Sequence, residues 1–249
     1  IFHLAAIIGV KYVNKTPYNV LINNIKLLEK AIQIAQNQNK ISKFIFFSTS
    51  EVYAGSLEHH GIKIPTPEKT PLTISSLELP RATYMLSKIY GEMMCNITKK
   101  LPHINIRPHN IYGPRMGFSH VIPELIKKMY FSKNNKVEIL SPGHKRTFCY
   151  IDDAINLIYN LSNSRITNQT FNIGSDKENI TIYDLAIKIA KLFDKKIILY
   201  RGKAVIGSPK NRCPDLSKLK KVIKIEPSYN LNNGIEKTLR WYKKNISKK

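Results

Sequence analysis

Tyr84 and Lys88 are four residues apart, the spacing that puts a phenol and an ammonium group on the same face of a helix. A nearby ammonium favours the ionised phenol, so such a pair can act as a base that takes a proton from a hydroxyl group. The spacing alone is weak evidence, because chance gives roughly two such pairs in a chain this rich in tyrosine and lysine. Its interpretation depends on the surrounding segments.

Predicted strands and helices alternate around the pair. Apolar runs predict buried strands at residues 1–6, 43–48 and 104–108, and apolar residues at helical spacing predict helices at 19–37 and 81–100. Two parallel strands need a crossover of this length between them. The order therefore predicts an α/β fold with a parallel sheet.

The rest of the chain continues the alternation and then becomes more helical. Residues 54–80 contain several Gly and Pro and lack a sustained period, which predicts a long surface loop. Beyond residue 113 the pattern predicts helices near 121–129, 151–161, 181–193 and 231–244, with strands near 137–140 and 170–173.

Two polar segments directly follow predicted strands, at Ser48–Tyr53 and Pro108–Arg115. In open parallel sheets, ligands bind beyond the carboxyl ends of the strands, so both segments are expected at one crevice. The helix that carries Tyr84 lies between them in sequence. Three segments thus point to the same candidate site.

The charge of the chain is strongly basic, with 40 Lys and Arg against 17 Asp and Glu and a net charge of +23. Such a charge can belong to a nucleic-acid-binding surface or to lysines spread over a solvated surface. The lysines are scattered rather than gathered on one motif, which favours the solvated surface. We therefore expect no nucleic acid as partner, while an anionic small substrate fits the charge.

Cysteine and histidine spacing indicates neither disulfides nor a metal. Cys95, Cys149 and Cys213 are far apart, which favours a reduced, cytoplasmic setting. The histidines are dispersed without ligand spacing, so we predict no metal site. No apolar stretch approaches the 18 or more residues that span a bilayer, and we expect no membrane association.

Six motifs together resemble the extended short-chain dehydrogenase/reductases of the NAD-dependent epimerase/dehydratase family, which modify nucleotide sugars. In chain order they are His3-Leu4-Ala5-Ala6, Ser48-Thr49-Ser50-Glu51-Val52-Tyr53, Tyr84 with Lys88, Arg107-Pro108-His109-Asn110-Ile111-Tyr112-Gly113-Pro114-Arg115, Arg146-Thr147-Phe148-Cys149-Tyr150-Ile151-Asp152-Asp153 and Arg212-Cys213-Pro214-Asp215. The match spans nearly the whole chain, and six motifs in order are specific for the family.

The resemblance implies a Rossmann-like doubly wound parallel sheet and a smaller mixed C-terminal substrate domain. We expect the NAD-binding part at residues 1–113 and the substrate-binding part at 114–249, with segments around 146–175 returning to the sheet. The sheet is expected to be incomplete, because the first βαβ unit with its glycine-rich phosphate loop is not in this sequence. We expect an amino-terminal part to be missing, and the fragment as given to be inactive.

The resemblance also implies the chemistry. Tyr84 would take a proton from the sugar C4 hydroxyl as that carbon gives hydride to NAD, with Thr49 hydrogen-bonded to the same oxygen. Lys88 would lower the pKa of the tyrosine and bind the cofactor ribose. Glu51 would act in the step after the 4-keto intermediate. These four are the expected catalytic residues.

Further residues would hold the two ligands. The resemblance assigns NAD to Leu4, Ala5, Ala6, Ser48, Tyr84, Lys88 and Pro108, and the nucleoside-diphosphate sugar to Ser50, Asn110, Arg146 and Arg212. A homodimer is also expected. NADP stays open, because the residue that reads the adenosine ribose would lie upstream of residue 1.

Two questions are left open by the sequence. Thr49-Ser50-Glu51 is most similar to UDP-glucuronate decarboxylases and sugar 4,6-dehydratases of the GDP-mannose type, yet epimerisation, dehydration and decarboxylation all follow from a 4-keto intermediate. The alternative function is a catalytically silent chain or atypical member of the same fold that binds RNA or a protein through its basic surface. The intact set of Thr49, Tyr84 and Lys88 favours the enzyme.

Overall fold

The structure is a computed structural model that describes residues 1–205 and 209–246. Two parts of the predicted 114–249 region, residues 206–208 and 247–249, lie outside the described residues. The chain forms two compact units: the first unit comprises Ile1–His109, Asn156–Ile173 and Pro214–Ile225, and the second comprises Asn110–Ile155, Gly174–Cys213 and the chain from Glu226 onward. The assignment of NAD binding to residues 1–113 and of substrate binding to residues 114–249 stays a prediction.

The helices and strands follow the predicted alternation, with several short additions. The helices are α1 (Val10–Lys15), α2 (Pro17–Gln36), α3 (Ala54–His59), α4 (Arg81–Ile97), α5 (Val121–Phe131), α6 (Ile151–Asn163), α7 (Ile182–Ala190), α8 (Ser217–Ile223) and α9 (Leu231–Asn245). The strands are β1 (Phe2–His3), β2 (Phe44–Phe47), β3 (His103–Pro108), β4 (Ile111–Tyr112), β5 (Lys136–Ile139), β6 (Lys145–Arg146), β7 (Cys149–Tyr150), β8 (Gln169–Ile173), β9 (Ile180–Thr181), β10 (Ile198–Arg201) and β11 (Asn211–Arg212).

A parallel sheet in the order β1-β2-β3-β8 forms the centre of the first unit. Strand β2 is buried on both faces, as its continuous apolar run predicted, and β3 is buried on both faces as well. The first strand is shorter than the predicted 1–6, because pairing with β2 involves only Phe2 and His3. The expected α/β class with a parallel sheet is confirmed.

Helices α2 and α4 pack together over this sheet. Along α2 the buried residues recur every three to four positions, which turns one face inward. Gly91 of α4 allows the close approach, since a Cβ there would lie 2.4 Å from the Phe46 ring and 2.9 Å from a Leu28 methyl group. The packing fixes the helix that carries Tyr84 and Lys88 against β2.

The loop prediction for residues 54–80 is wrong at its start. Ser50–Tyr53 forms a 3-10 turn and α3 follows it directly. Gly55 lies so close to Thr73 that a Cβ would be 2.0 Å from the Thr73 carbonyl oxygen. The Ser56 hydroxyl donates to Pro71 O at 2.6 Å and accepts from Thr73 N at 2.9 Å. These contacts hold the later, irregular part of the segment against α3. They join residues that are distant in sequence, so a periodic pattern does not predict them.

The second unit has its own core between helices and short strands. Its pairings are β5 with β10, β6 with β9 and β11, and β4 with β7. The buried cluster includes Tyr112, Ile126, Leu185, Ile235 and Tyr242. None of the helices in the described part of the chain is both long enough and apolar enough to cross a membrane.

Candidate functional site

The ends of three parallel strands bring predicted cofactor residues to one edge of the sheet. Leu4 follows β1, Ser48 follows β2, and Pro108 is the last residue of β3. Leu4 and Ala5 are exposed, Ala6 and Pro108 are half-buried, and Ser48 is buried. The sheet therefore presents these positions along one crevice edge, as expected for a ligand beyond parallel strands.

Tyr84 lies in the second turn of α4, and the Thr49 side chain is near enough to its phenol to lower the pKa of Tyr84. Thr49 also caps the 3-10 turn, because its hydroxyl accepts a bond from Glu51 N at 3.2 Å. The two hydroxyl groups thus lie side by side, where a substrate hydroxyl could bond to both. The structure brings together the predicted pair on different elements, α4 and the end of β2.

Lys88 lies one helical turn after Tyr84 and is buried, with 4% of its surface exposed. Its Nζ donates to Phe47 O at 2.7 Å and lies 5.9 Å from the centre of the Tyr84 ring. Within residues 1–205 and 209–246, no carboxylate forms a salt bridge with it. An ammonium group has three donors, so this bond to the end of β2 leaves donors for a ligand.

Burial shifts the pKa values of Tyr84 and Lys88 in opposite directions. It raises the pKa of Tyr84 to about 12, while the nearby Thr49 side chain lowers that pKa and the charge of Glu51 raises it. Burial lowers the pKa of Lys88 to about 8. The expected lowering of the tyrosine pKa, which includes the charge of bound oxidised nicotinamide, stays a prediction.

Glu51 forms an ion pair that the sequence did not predict. Arg81, the first residue of α4, places Nη2 at 3.0 Å from both carboxylate oxygens of Glu51. Glu51 is the less exposed partner, with 19% of its side chain exposed against 39% for Arg81. The carboxylate is therefore held by the first residue of α4. Ser50, predicted to bind substrate, is buried beside it.

Asn24 connects the segment after β1 to the tyrosine helix. Its side chain accepts from Ile7 N at 2.7 Å and donates to Ile7 O at 3.2 Å and to Ser87 Oγ at 3.3 Å. Ser87 Oγ donates to Tyr84 O at 2.7 Å. A buried asparagine on α2 thus fixes the chain that follows Leu4-Ala5-Ala6.

The remaining predicted substrate residues lie in the second unit. Asn110 has a left-handed backbone (φ 41°), and its Nδ2 donates to Thr147 O at 3.0 Å. Arg146 Nη1 donates to Lys145 O at 2.7 Å and Nη2 to Pro209 O at 2.6 Å. These contacts fix the polar residues within the unit.

Arg146 and Arg212 are neighbours in the second unit. They are paired in register across the parallel strands β6 and β11, and both are buried. The planar donors of arginine suit the oxygen pairs of phosphates. Binding of the diphosphate by Arg146 and Arg212 stays a prediction.

The residues present fit the nicotinamide ribose end of NAD. The Lys88 ammonium and the Tyr84 phenol, one turn apart, suit vicinal hydroxyl groups. They do not include the glycine-rich loop that holds the pyrophosphate. For metals, the described residues contain no group of three or more His, Cys, Asp or Glu side chains arranged to hold an ion.

Comparison with sequence families gives the assignment. The NAD dependent epimerase/dehydratase family matches residues 1–174. The chain belongs to this family. This confirms four predictions from the sequence: the family, the α/β class, the type of enzyme and the dependence on NAD. The alternative of a catalytically silent binding protein is not favoured.

Individual family members show how far the similarity extends. The chain is 30% identical over 94% of its length to the uncharacterized UDP-glucose epimerase YtcB of Bacillus subtilis (strain 168), covering 71% of that protein. It is 28% identical over 98% of its length to the UDP-N-acetyl-alpha-D-glucosaminuronate decarboxylase of Bacillus cytotoxicus (strain DSM 22905 / CIP 110041 / 391-98 / NVH 391-98), covering 76% of that protein.

A solved family structure extends the comparison to the fold. The UDP-glucuronic acid 4-epimerase from Bacillus cereus, in complex with UDP-glucuronic acid and NAD, superposes with a TM-score of 0.78 at 27% identity. The match covers 97% of this chain and 74% of that one. The chain therefore has the family's fold over nearly its whole length.

Proposed function

We propose that this protein oxidises a nucleoside-diphosphate sugar at C4 transiently and then epimerises, dehydrates or decarboxylates it. The observation that carries the proposal is the buried Lys88, whose Nζ is fixed to Phe47 O and lies 5.9 Å from the centre of the Tyr84 ring. Thr49 orients the reacting hydroxyl, and Tyr84 takes its proton. NAD, when bound, supplies the hydride acceptor and a positive charge near the phenol. NADP stays an alternative cofactor.

The raised pKa of Tyr84 supports a division of labour between protein and cofactor. A phenol with a pKa of about 12 is protonated near neutral pH, so Tyr84 must release its own proton before it can take the proton of the sugar hydroxyl. Lys88, with its pKa lowered to about 8, can itself accept or release a proton there. We propose that the Tyr84 proton passes to Lys88 as the phenol takes the proton of the sugar; the ribose of NAD, when bound, would supply hydroxyl groups beside both side chains.

The proposed substrate class follows from the pair of arginines in the second unit. Within this unit Arg146 and Arg212 would bind the diphosphate, and Asn110 would contact other polar groups of the nucleotide sugar. Relatives named for UDP-sugars support this class. Glu51, held by Arg81, would act on the 4-keto sugar in the second step.

We also propose a homodimer and a cytoplasmic location. Helices α2 and α4 carry exposed apolar side chains at one-turn or two-turn spacing, namely Leu27, Ile34, Tyr90, Met93 and Ile97. Covering them with the same face of a second copy removes this surface from water. Buried cysteines without a disulfide in the described residues support a reducing compartment.

A panel of sugar nucleotides tests the function. This chain and, where its reading frame continues upstream, the longer protein are incubated with NAD and UDP-, GDP- and dTDP-sugars, and products are identified by mass and NMR. We expect one nucleotide class to be converted. Absence of conversion across the panel by protein that binds NAD and is folded would contradict the proposed substrate class.

A further inference from the structure

A buried ion pair below the candidate site connects strand β3 to the tyrosine helix. Glu92 lies one helical turn after Lys88, and its Oε2 accepts from Arg107 Nη2 at 2.6 Å while Oε1 accepts from Arg107 Nε at 2.8 Å. Both side chains are less than a tenth exposed. A buried ion pair often stabilises a fold less than apolar residues of the same volume would. We therefore ask which segments this pair holds in one geometry.

The same ion pair binds both ends of the segment that carries Thr49 and Glu51. At the beginning, Ser48 Oγ donates to Glu92 Oε1 at 2.5 Å. At the end, Arg107 Nη1 donates to the hydroxyl of Tyr53 at 2.7 Å. The segment Ser48–Tyr53 is therefore attached at its first and last residues to one rigid pair of charges.

Tyr53 extends the network to the neighbouring strand. Its hydroxyl donates to Asn172 Oδ1 at 3.0 Å, and Asn172 Nδ2 donates to Thr66 O at 2.9 Å and Asp215 O at 3.2 Å. Tyr53 and Asn172 are 1% and 0% exposed. The network thus joins β3, β8 and the Ser48–Tyr53 segment through hydrogen bonds. One member of the network cannot move without breaking the buried hydrogen bonds of the others.

On the other side the network reaches Lys88. The ammonium bonds to the carbonyl of Phe47, the residue next to Ser48, and Glu92 bonds to Ser48 itself. Two successive turns of α4 are therefore attached to two successive residues at the end of β2. The distance between Tyr84 on α4 and Thr49 after β2 is set by these two attachments.

We propose that Glu92, Arg107 and Tyr53 are positioning residues that hold Thr49 against Tyr84 for proton transfer. This inference rests on the proposed function, since it concerns the same hydroxyl pair. A displacement of about 1 Å at reacting groups can lower a rate roughly a hundredfold, so loosening the segment is expected to affect turnover more than binding.

The test uses Tyr53→Phe, which removes one hydroxyl and keeps the ring. Tyr159→Phe on α6 is the matched control, because Tyr159 is 62% exposed. Three quantities are measured for each variant: the melting temperature, the hydrogen exchange of residues 48–53 by mass spectrometry, and kcat and KM for the converted sugar nucleotide. Glu92→Gln, which keeps the shape of the side chain but removes its charge, is measured alongside.

The proposal predicts that Tyr53→Phe lowers kcat by roughly tenfold to a hundredfold with little change in KM. It also predicts faster exchange at residues 48–53 while the rest of the first unit keeps its protection. Glu92→Gln is expected to give the same pattern, and Tyr159→Phe to match wild type.

Two results would overturn the proposal. One is wild-type kcat and wild-type protection at residues 48–53 in both Tyr53→Phe and Glu92→Gln. The other is a loss of activity that only follows the melting temperature, with faster exchange across the whole first unit. If folded wild-type protein that binds NAD converts no sugar nucleotide, the proposed function fails, while the exchange at residues 48–53 still decides whether the network holds this segment.

Discussion

Arg81 Nη2 lies 3.0 Å from each carboxylate oxygen of Glu51, at the point where the tyrosine helix begins. The contact joins the residue proposed for the second step to the helix that carries the proposed base. A guanidinium group orients a carboxylate as well as attracting it. Arg81 therefore controls where the Glu51 carboxylate lies relative to Tyr84.

Arg81→Ala is expected to separate the two steps of the reaction. The first oxidation depends on Tyr84 and Thr49 and should change little, whereas the second step should slow by roughly tenfold because Glu51 loses its orienting partner. Rapid quenching with mass detection should show the 4-keto intermediate accumulating. Arg165→Ala, at an exposed arginine of the first unit, is the control. Equal kinetics in the two variants would contradict this role.

Lys88 gives a stability prediction with a definite sign. Its pKa in the folded state is about 8, below the ordinary 10.5, so burial of the charged form costs stability below pH 8. As pH rises from 8 towards 10.5, the folded state has already released the proton that the unfolded state still holds. The unfolding free energy of wild type should therefore rise relative to that of Lys88→Met.

The size of this change can be measured by urea unfolding at pH 7 and pH 10. From the pKa shift, the difference between wild type and Lys88→Met should move by about 2 to 3 kcal/mol in favour of wild type. Lys26→Met, at an exposed position of α2, should show no such movement. A difference for Lys88→Met that is the same at both pH values would show that its ammonium is not buried in solution.

Asn24 is expected to contribute to stability through the segment after β1. Asn24→Ala removes one buried and two partly buried hydrogen bonds and leaves both polar groups of Ile7 without this partner, a loss of about 1 to 3 kcal/mol. The adjacent Asn23→Ala is a matched control, because Asn23 is exposed on the same helix. Urea unfolding measures both. Equal stability of the two variants would contradict the bridging role of Asn24.

The proposed dimer is tested by one charge on the apolar face of α4. Ile97 is 65% exposed, and Ile97→Lys would place an ammonium group in the contact with a second copy. We expect the mass measured by light scattering to fall from that of a dimer to that of a monomer. Ile155→Lys introduces the same charge at an isoleucine that is 57% exposed on α6. A monomeric wild type, or a dimer that survives Ile97→Lys, would contradict the proposed interface.

The sequence predicted the elements whose periodicity is strong and missed those held by distant contacts. Continuous apolar runs identified β2 and β3, and helical spacing identified α2 and α4. Two-residue strands such as β6 and β11 have no period to detect. The sequence predicts a loop at α3, because this helix has only 6 residues and Gly and Pro residues surround it.

The candidate site shows the same difference between local and distant information. Thr49, Tyr84 and Lys88 were predicted from motifs, and they come together in the first unit. Glu92 and Arg107 were not predicted to act there, although one signal existed. A charged residue inside the apolar strand β3, and a glutamate on the buried face of α4, both require a partner in the core. The sequence alone does not show that they are partners of each other.

The pKa of Tyr84 could not be predicted from spacing. The four-residue separation suggested that Lys88 would favour the ionised phenol. In the fold, the Lys88 ammonium donates to Phe47 O, Tyr84 is half-buried, and this burial raises the pKa of the phenol in the protein alone. Spacing gives the face of a helix, whereas the pKa depends on what covers that face.

The central claim is that Tyr84 is the base for oxidation of the sugar hydroxyl. The most direct measurement is the single-turnover rate of hydride transfer, followed by nicotinamide absorbance, in wild type and Tyr84→Phe with the converted sugar nucleotide. We predict that hydride transfer is at least about a hundredfold slower in Tyr84→Phe than in wild type, with substrate affinity and melting temperature nearly unchanged. A Tyr84→Phe protein that transfers hydride at the wild-type rate would contradict it.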